Sequence, residues 1–409
     1  MHRLHHRART ALVQQLVESR RLRGRGEVVR GHHNINYVRR SGLVLALLLG
    51  AVPFTRFKYR VPLPAVEVVP RIWPREAEVL GVVCRYLREV PRCLADLGEG
   101  SVHRYRTGRT LGDGGVTATV GEELMRSFAS FFVRTARVPV AELPARPDDW
   151  PRDGDSQGFL DWLVRFTQER VHLPNRDRFG ALFDAVGVPE DAMARFAVLH
   201  RCRASRPFRL LHTDVHRANV VVRGRRLAVI DWELAIFGDP LHDLATHLVR
   251  MGYGKEEQER MTELWAGAMT EAGLTELTAG LHEDLPVFIA FEHAQSVFPT
   301  SCGRPSTCPR ARTRAASTPP PTGSSGRHGG PASRCGWSTC RAGTGSWKPC
   351  GSGTARGPEA RRPLPVRRRG GHHWLARSNR CANGGTWCLR EDRRWAAEWR
   401  RGGVVPRRR

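Results

Sequence analysis

The sequence predicts an α+β, bilobal chain. A small β-rich N-terminal lobe covers residues 1–105, a larger helical C-terminal lobe covers 106–300, and a disordered basic tail covers 301–409. Three observations predict it. Residues 24–105 read as short β segments around one helix. Residues 106–300 carry helical apolar periodicity, interrupted by one polar loop and a short strand. Past residue 300 the periodicity stops and the composition changes at once.

At 409 residues the chain is long enough for two ordinary domains with a real core. Its formal net charge of +26, from 66 Lys+Arg against 40 Asp+Glu, is that of a nucleic-acid binder. That average misleads. Residues 301–409 hold 24 Lys+Arg and 4 Asp+Glu, which leaves 42 and 36 for residues 1–300. The tail has no Phe, Tyr, Met or Ile, yet it holds seven of the ten cysteines (302, 308, 335, 340, 350, 381 and 388). It offers too little apolar surface to offset the entropy of ordering, so disorder is the expectation. Its arginine clusters, such as Arg367-Arg368-Arg369, suit only non-specific contact with nucleic-acid phosphates. A metal or disulfide module is disfavoured by the absence of any Cys-x-x-Cys pair. An out-of-frame read of GC-rich coding DNA yields the same composition and also accounts for the abruptness of the break.

No targeting signal stands out. Met1 to Arg9 is basic, but Ala11 to Leu22 reads as an amphipathic helix with Leu12, Leu16, Val13 and Val17 on one side. The apolar run Gly42 to Val52 is about ten residues, and a bilayer needs about twenty. A cytoplasmic protein with no membrane partner is expected, in which Cys84, Cys93 and Cys202 stay reduced. The oligomeric state is not written in the sequence.

In the N-terminal lobe, Gly31-His32-His33-Asn34-Ile35-Asn36-Tyr37-Val38 is a turn running into a strand. Such a loop, with Asn34 and Asn36, can aim backbone N–H groups at phosphate, although the same residues also make any hairpin turn. Val66 to Trp73 reads as a strand carrying Arg71. Pro74 then opens a helix over Arg75 to Arg88, with Val79, Leu80, Val83 and Leu87 on its apolar stripe. Arg71 with Glu76, or failing that Glu78, could clamp phosphate; a surface salt bridge is the plainer reading of the pair alone. Residues 92–111 read as a hairpin and connector, with the hinge at Val102 to Gly108.

The densest chemistry lies in His212-Thr213-Asp214-Val215-His216-Arg217-Ala218-Asn219, followed by Ile230-Asp231-Trp232-Glu233 and Gly238-Asp239-Pro240-Leu241-His242-Asp243. Phosphoryl transfer needs a carboxylate to orient a hydroxyl, plus oxygen ligands to hold Mg²⁺ on the phosphates. Asp214 supplies the first, and Asn219 with Asp231 the second. His216 can approach the transferring group, and His212 is read as structural. His-x-Asp-x-His is also a plausible zinc chelate, but zinc leaves Asp231 and the helix after it unexplained. Asp239 and Pro240 read as the N-cap and first residue of that helix. Asp239 and Asp243 are read as bracing the loop from behind.

These pieces, with Arg71 and Glu76, resemble the aminoglycoside phosphotransferase and choline kinase-like family of small-molecule kinases. The resemblance spans about residues 10–300 and is most specific from His212 to Ala245. It implies a protein-kinase-like fold, with ATP and Mg²⁺ in the cleft between the lobes. By it Asp214 is the catalytic base, Asn219 and Asp231 are metal ligands, and Arg71 is the phosphate clamp in place of the family's usual Lys. The implied reaction moves the γ-phosphate of ATP to a hydroxyl of a small molecule, aminoglycoside-like or another amino or sugar alcohol. The alternative is an inactive nucleotide-binding remnant with a damaged C-terminus. The family's pattern is lost near residue 299. The acidic stretch 255–284 could bind a polyamine, but a solvated helical face is preferred.

Overall fold

Alternating charged and apolar residues build the N-terminal lobe from both ends of its sheet. Helix α1 (His2–Arg23) lays Val13 and Val17 on the sheet, while Leu12 turns outward, so only the valine side of the expected stripe is buried. The strands are β1 (Val28–Arg30), β2 (Asn34–Arg40), β3 (Arg56–Pro62), β4 (Cys93–Asp96) and β5 (Ser101–Arg104). They form one antiparallel sheet in the order β1-β2-β3-β5-β4. Helix α2 (Leu43–Leu49) sits in the β2–β3 connection and ends on Gly50, whose φ of 59° is the left-handed turn that glycine adopts at low cost. Helix α3 (Glu76–Tyr86) follows Pro74 as expected. The computed structural model describes residues 2–302, apart from 24–25, 32–33, 64–66, 115–118 and 225. Beyond Cys302 the expected disordered tail lies outside them.

One expected element is corrected. Residues 67–75 form no strand, because Pro70 and Pro74 each remove an N–H from a stretch that otherwise has strand-like residues. The strand that carries cations toward the cleft is β3 instead.

The chain leaves the sheet at Tyr105, and β6 (Arg109–Thr110) leads into the helical lobe. Its helices are α4 (Glu122–Ala136), α5 (Ser156–Phe166), α6 (Leu173–Val186) and α7 (Ala192–Leu199). Strands β7 (Arg209–Leu211), β8 (Val220–Arg223), β9 (Arg226–Val229) and β10 (Ile236–Gly238) follow, and then α8 (Pro240–Arg250), α9 (Lys255–Glu271) and α10 (Leu281–Cys302). β10 pairs with β7, and β8 pairs with β6 on one side and β9 on the other. α8 packs along α10 and α4 along α9. A large apolar cluster runs from Val79 and Leu80 of α3 through Phe128, Phe159, Phe208 and Trp232 to Phe288 and Phe291 of α10. A smaller one under α1 and α2 contains Val13, Val17, Leu45, Leu49, Phe57 and Tyr59.

A buried ion cluster fastens the helical lobe. Asp239 caps α8 by accepting from the Leu241 N–H at 2.9 Å, and it also takes the Arg206 guanidinium at 2.7 Å. Arg206 reaches Asp284 of α10 at 2.8 Å, and Asp284 in turn accepts the N–H groups of Arg203 and Ala204. All three charged side chains are fully buried. Each is matched by charge and hydrogen bonds, which is the condition under which buried charge persists.

Five buried imidazoles give the fold a pH dependence. Burial pushes His103, His172, His212 and His247 down to about 4 and His242 to about 3. An unfolded histidine titrates near 6.5, so each group contributes stability that is complete above 6.5 and lost as pH falls toward 4. Asp243, pushed up to about 6 by burial, acts in the opposite direction as pH falls from 6. Five groups outweigh one. The melting temperature is therefore expected to fall steadily between pH 6.5 and 4.5 in a calorimetric series; a flat or rising series would contradict the buried neutral histidines.

Candidate active site

Strand β7 ends in buried Leu210 and Leu211 and delivers the chain into the loop 212–219. α8 holds this loop from behind. The carboxylate of Asp243 accepts the His212 N–H at 3.1 Å and the Thr213 N–H at 2.7 Å. His247 bonds through Nδ1 to the Val215 carbonyl at 2.9 Å. His212 is fully buried, packs edge-on against Trp232 and accepts the Asp214 N–H, a structural part that matches its sequence reading. Thr213 is held at a φ of 57°, a left-handed conformation that a β-branched residue adopts only under constraint. Asp243 supplies the constraint. Asp239 braces the Arg206 cluster and not the loop.

Asp214 sits in a cradle of donors. Arg250 Nη1 donates to its Oδ1 at 2.6 Å, and Asn219 Nδ2 donates to its Oδ2 at 2.8 Å. His216 Nδ1 accepts the Ala218 N–H, and its Nε2 lies 3.5 Å from Asp214 Oδ2 and 3.2 Å from Asn219 Nδ2. Burial alone would raise the Asp214 carboxyl, but His216 and Arg250 hold it well below the usual carboxylate range. It is thus ionised at neutral pH. A carboxylate offers about four acceptor positions, so room remains for a hydroxyl.

The hairpin β8–β9 brings the second and third residues together. Val220 pairs with Val229, and the Ile230 N–H donates to the Asn219 carbonyl at 2.9 Å, so Asn219 and Asp231 leave the hairpin side by side. The Asn219 amide nitrogen is committed to the carbonyl and carboxylate of Asp214, which turns its oxygen to the other side. Asp231 has a φ of 70° and a side chain about one-third exposed at 32 %. An amide oxygen and a reachable carboxylate suit a hard divalent ion such as Mg²⁺. Among the described residues no three His, Cys, Asp or Glu side chains group to hold a metal, so the zinc reading finds no donor set there.

The cation facing this pair is not the expected one. Arg60 of β3, 4 % exposed, bonds Glu76 of α3 and donates to Asp231 Oδ1 at 2.8 Å. Its other nitrogen meets Glu233. Glu76 also accepts the Trp232 N–H at 2.9 Å. Burial opposes its ionisation, but Arg60 holds the carboxyl below its ordinary value. Arg71 does not meet Glu76; it lies outside any strand and pairs with Glu233 at 2.9 Å. Glu78 pairs with Arg75 on the surface. The signal for Arg60 was the alternation Arg56-Phe57-Lys58-Tyr59-Arg60, which marks a strand with cations on one face. Asn34 donates to Glu233 at 3.0 Å, and Asn36 carries a buried amide oxygen with no partner among the described residues. His32 and His33 of the expected phosphate loop lie outside the described residues.

Sequence reasoning missed two further residues. Arg250 joins Asp214 to Glu292 of α10, which it meets at 2.5 Å. Both lie far along the chain from the loop, and no local pattern marks them. The acidic stretch 255–284 is largely engaged elsewhere. Glu257 caps α9, Glu263 pairs with Arg260, Glu276 with Arg209, and Asp284 is buried on Arg206.

Residues 52–277, more than half of the chain, match the family model described as the phosphotransferase enzyme family. Among solved structures, an ethanolamine kinase from Plasmodium vivax is similar at 13 % identity over 66 % of this chain and 74 % of its own, with a TM-score of 0.44. A macrolide 2′-phosphotransferase from Brachybacterium faecium is 19 % identical over 69 % and 92 %, with a TM-score of 0.40. A choline kinase from Streptococcus pneumoniae is 14 % identical over 67 % and 85 %, with a TM-score of 0.39. Comparison with curated protein sequences gives no match.

The two arginines should separate cleanly on substitution. Arg60→Ala leaves three buried or half-buried carboxylates short of their shared cation and is expected to cost about 3–5 kcal/mol. Arg71→Ala, at a partly exposed pair, is expected to cost about 1 kcal/mol or less. Denaturant titration of both variants measures this, and equal losses would reverse the assignment of the central cation.

Proposed function

This chain belongs to the phosphotransferase enzyme family, and from that membership we propose that it moves the γ-phosphate of Mg-ATP to a hydroxyl of a small molecule. The observation that carries the proposal is the juxtaposition of Asp214, Asn219 and Asp231 through the β8–β9 hairpin, with Arg60 opposite. Asn219 and Asp231 are the residues that would hold a Mg²⁺ ion, which would offset the negative charge of the phosphates. Arg60, kept in place by Glu76, supplies fixed positive charge at the cleft.

Asp214 orients the incoming hydroxyl by accepting its hydrogen bond. Its strongly lowered pKa makes it a poor proton store before transfer, so its main work is alignment, with proton uptake only as the new P–O bond forms. His216 and Arg250 keep the carboxylate ionised and aimed. The substrate is a small hydroxyl compound; the spent acidic stretch on α9 gives no support to a polyamine in particular. The three described cysteines are free thiols, which suits a cytoplasmic protein.

The test pairs two readouts on the full chain. Mg-ATP at about a hundred times its Kd should add about 2.7 kcal/mol of stability, and Asp231→Ala should abolish that gain. Transfer of labelled γ-phosphate to a panel of amino and sugar alcohols should fall about a hundredfold or more in Asp214→Ala, with the nucleotide-induced shift retained. A shift without transfer to any hydroxyl compound would favour the idle nucleotide-binding remnant. No shift at all would overturn the proposal.

A further inference from the structure

Helix α2 has the composition of a buried helix and the position of a surface one. All seven residues, Leu43-Val44-Leu45-Ala46-Leu47-Leu48-Leu49, are apolar, but only Leu45, Ala46 and Leu49 are buried. Leu43, Val44 and Leu47 are 66 %, 58 % and 81 % exposed, and the turn after the helix adds Val52 at 66 % and Phe54 at 64 %. An amphipathic surface helix has a polar outer face; this one has none. Phe54 has a φ of 60°, and among the described residues the other non-glycine positions with positive φ are Thr213 and Asp231, both at the active site.

The surroundings say what the face fits. Arg9 of α1 donates to the Leu48 carbonyl at 3.0 Å, Arg40 donates to the Phe54 carbonyl at 3.4 Å, and the Arg20 guanidinium lies so close to Gly42 that a Cβ there would collide. Cations therefore stand at the start of α2, at its end and beside the turn. From residue 28 to residue 66 the sequence has no Asp or Glu at all. A second copy of the chain fits poorly, because a two-fold contact would set this arginine rim against itself. Apolar side chains ringed by arginine match the interface of an anionic bilayer, where the side chains enter the acyl boundary and the guanidinium groups meet lipid phosphates.

We propose that the α2 face, Leu43, Val44, Leu47, Val52 and Phe54 with Arg9, Arg20 and Arg40, docks the protein peripherally on an anionic lipid surface. Span length, which excluded a crossing segment, does not bear on this mode; among the described residues no helix is long and apolar enough to cross a membrane. The position is compatible with activity. Asn34, at the cleft end of β2, pairs with Pro62, while Arg40 pairs with Arg56 at the far end. Six residues of strand set the two ends roughly 20 Å apart. α2 also precedes the segment, 52–277, that matches the family model.

The experiment is co-sedimentation of the full chain with vesicles of phosphatidylcholine alone and of phosphatidylcholine mixed with phosphatidylserine, using wild type, Leu47→Glu and Phe54→Ser. Wild type is expected on the mixed vesicles and not on the neutral ones. Each substitution should lower partitioning about tenfold or more, the cost of withdrawing a large apolar side chain from hydrocarbon. Leu47 lies outside the core, so the melting temperature should not change, which makes lost binding a surface effect. Three outcomes overturn the proposal: no sedimentation of wild type with either vesicle; equal binding by wild type and Leu47→Glu, which would assign adsorption to the arginines past residue 302; or a solution dimer that Leu47→Glu dissociates.

Discussion

A single guanidinium, that of Arg60, is shared by Glu76 of α3, Asp231 at the end of the β8–β9 hairpin and Glu233 beyond it. Three carboxylates converge on one small region, and Arg71 assists only at Glu233. Buried like charges repel strongly, so the arrangement persists only while the cation is centred among them. That condition fixes the register of β3, the placement of α3 and the position of Asp231 together. Burial, and after it the neighbouring Asp231 carboxylate, push Glu233 upward in spite of the two arginines.

Behind this centre, rigidity comes from α8. Its N-terminus is tied by Asp239 to Arg206, its first turn holds the catalytic loop through Asp243, its third turn reaches Val215 through His247, and its last residue, Arg250, grips Asp214. One helix, anchored at its N-terminus, thus sets three points of the 212–219 loop. The left-handed conformation of Thr213 is sustained because two N–H groups and its hydroxyl, which donates to the Leu234 carbonyl at 2.6 Å, are all satisfied there.

Much of this was legible in the sequence, and for a definite reason. Asp214, Asn219 and Asp231 lie within one loop–hairpin, so their spacing alone predicts that they meet. The helix opened by Asp239-Pro240 was likewise local. Arg60 was not legible as the central cation, because several basic residues, among them Arg56, Lys58, Arg60 and Arg71, precede α3 and only strand register decides which one enters the cleft. The strand read over Val66 to Trp73 rested on β-branched residues and neglected two prolines. Arg250 and Glu292 meet Asp214 through the packing of α8 on α10, a contact that no local pattern encodes.

That last contact gives α10 an unexpected standing. Glu292, 2 % exposed, does not touch Asp214 itself, but it holds the guanidinium of Arg250 that pairs with the Asp214 carboxylate. Gln295, one turn on, donates to the second oxygen of Glu292 at 2.7 Å and steadies it in turn. α10 thus bears on Asp214 through two side chains in series, Glu292 and Arg250, while contributing no residue of its own to the 212–219 loop. Laboratory evolution of this scaffold would therefore find useful variation in a helix that a list of cleft-lining residues omits.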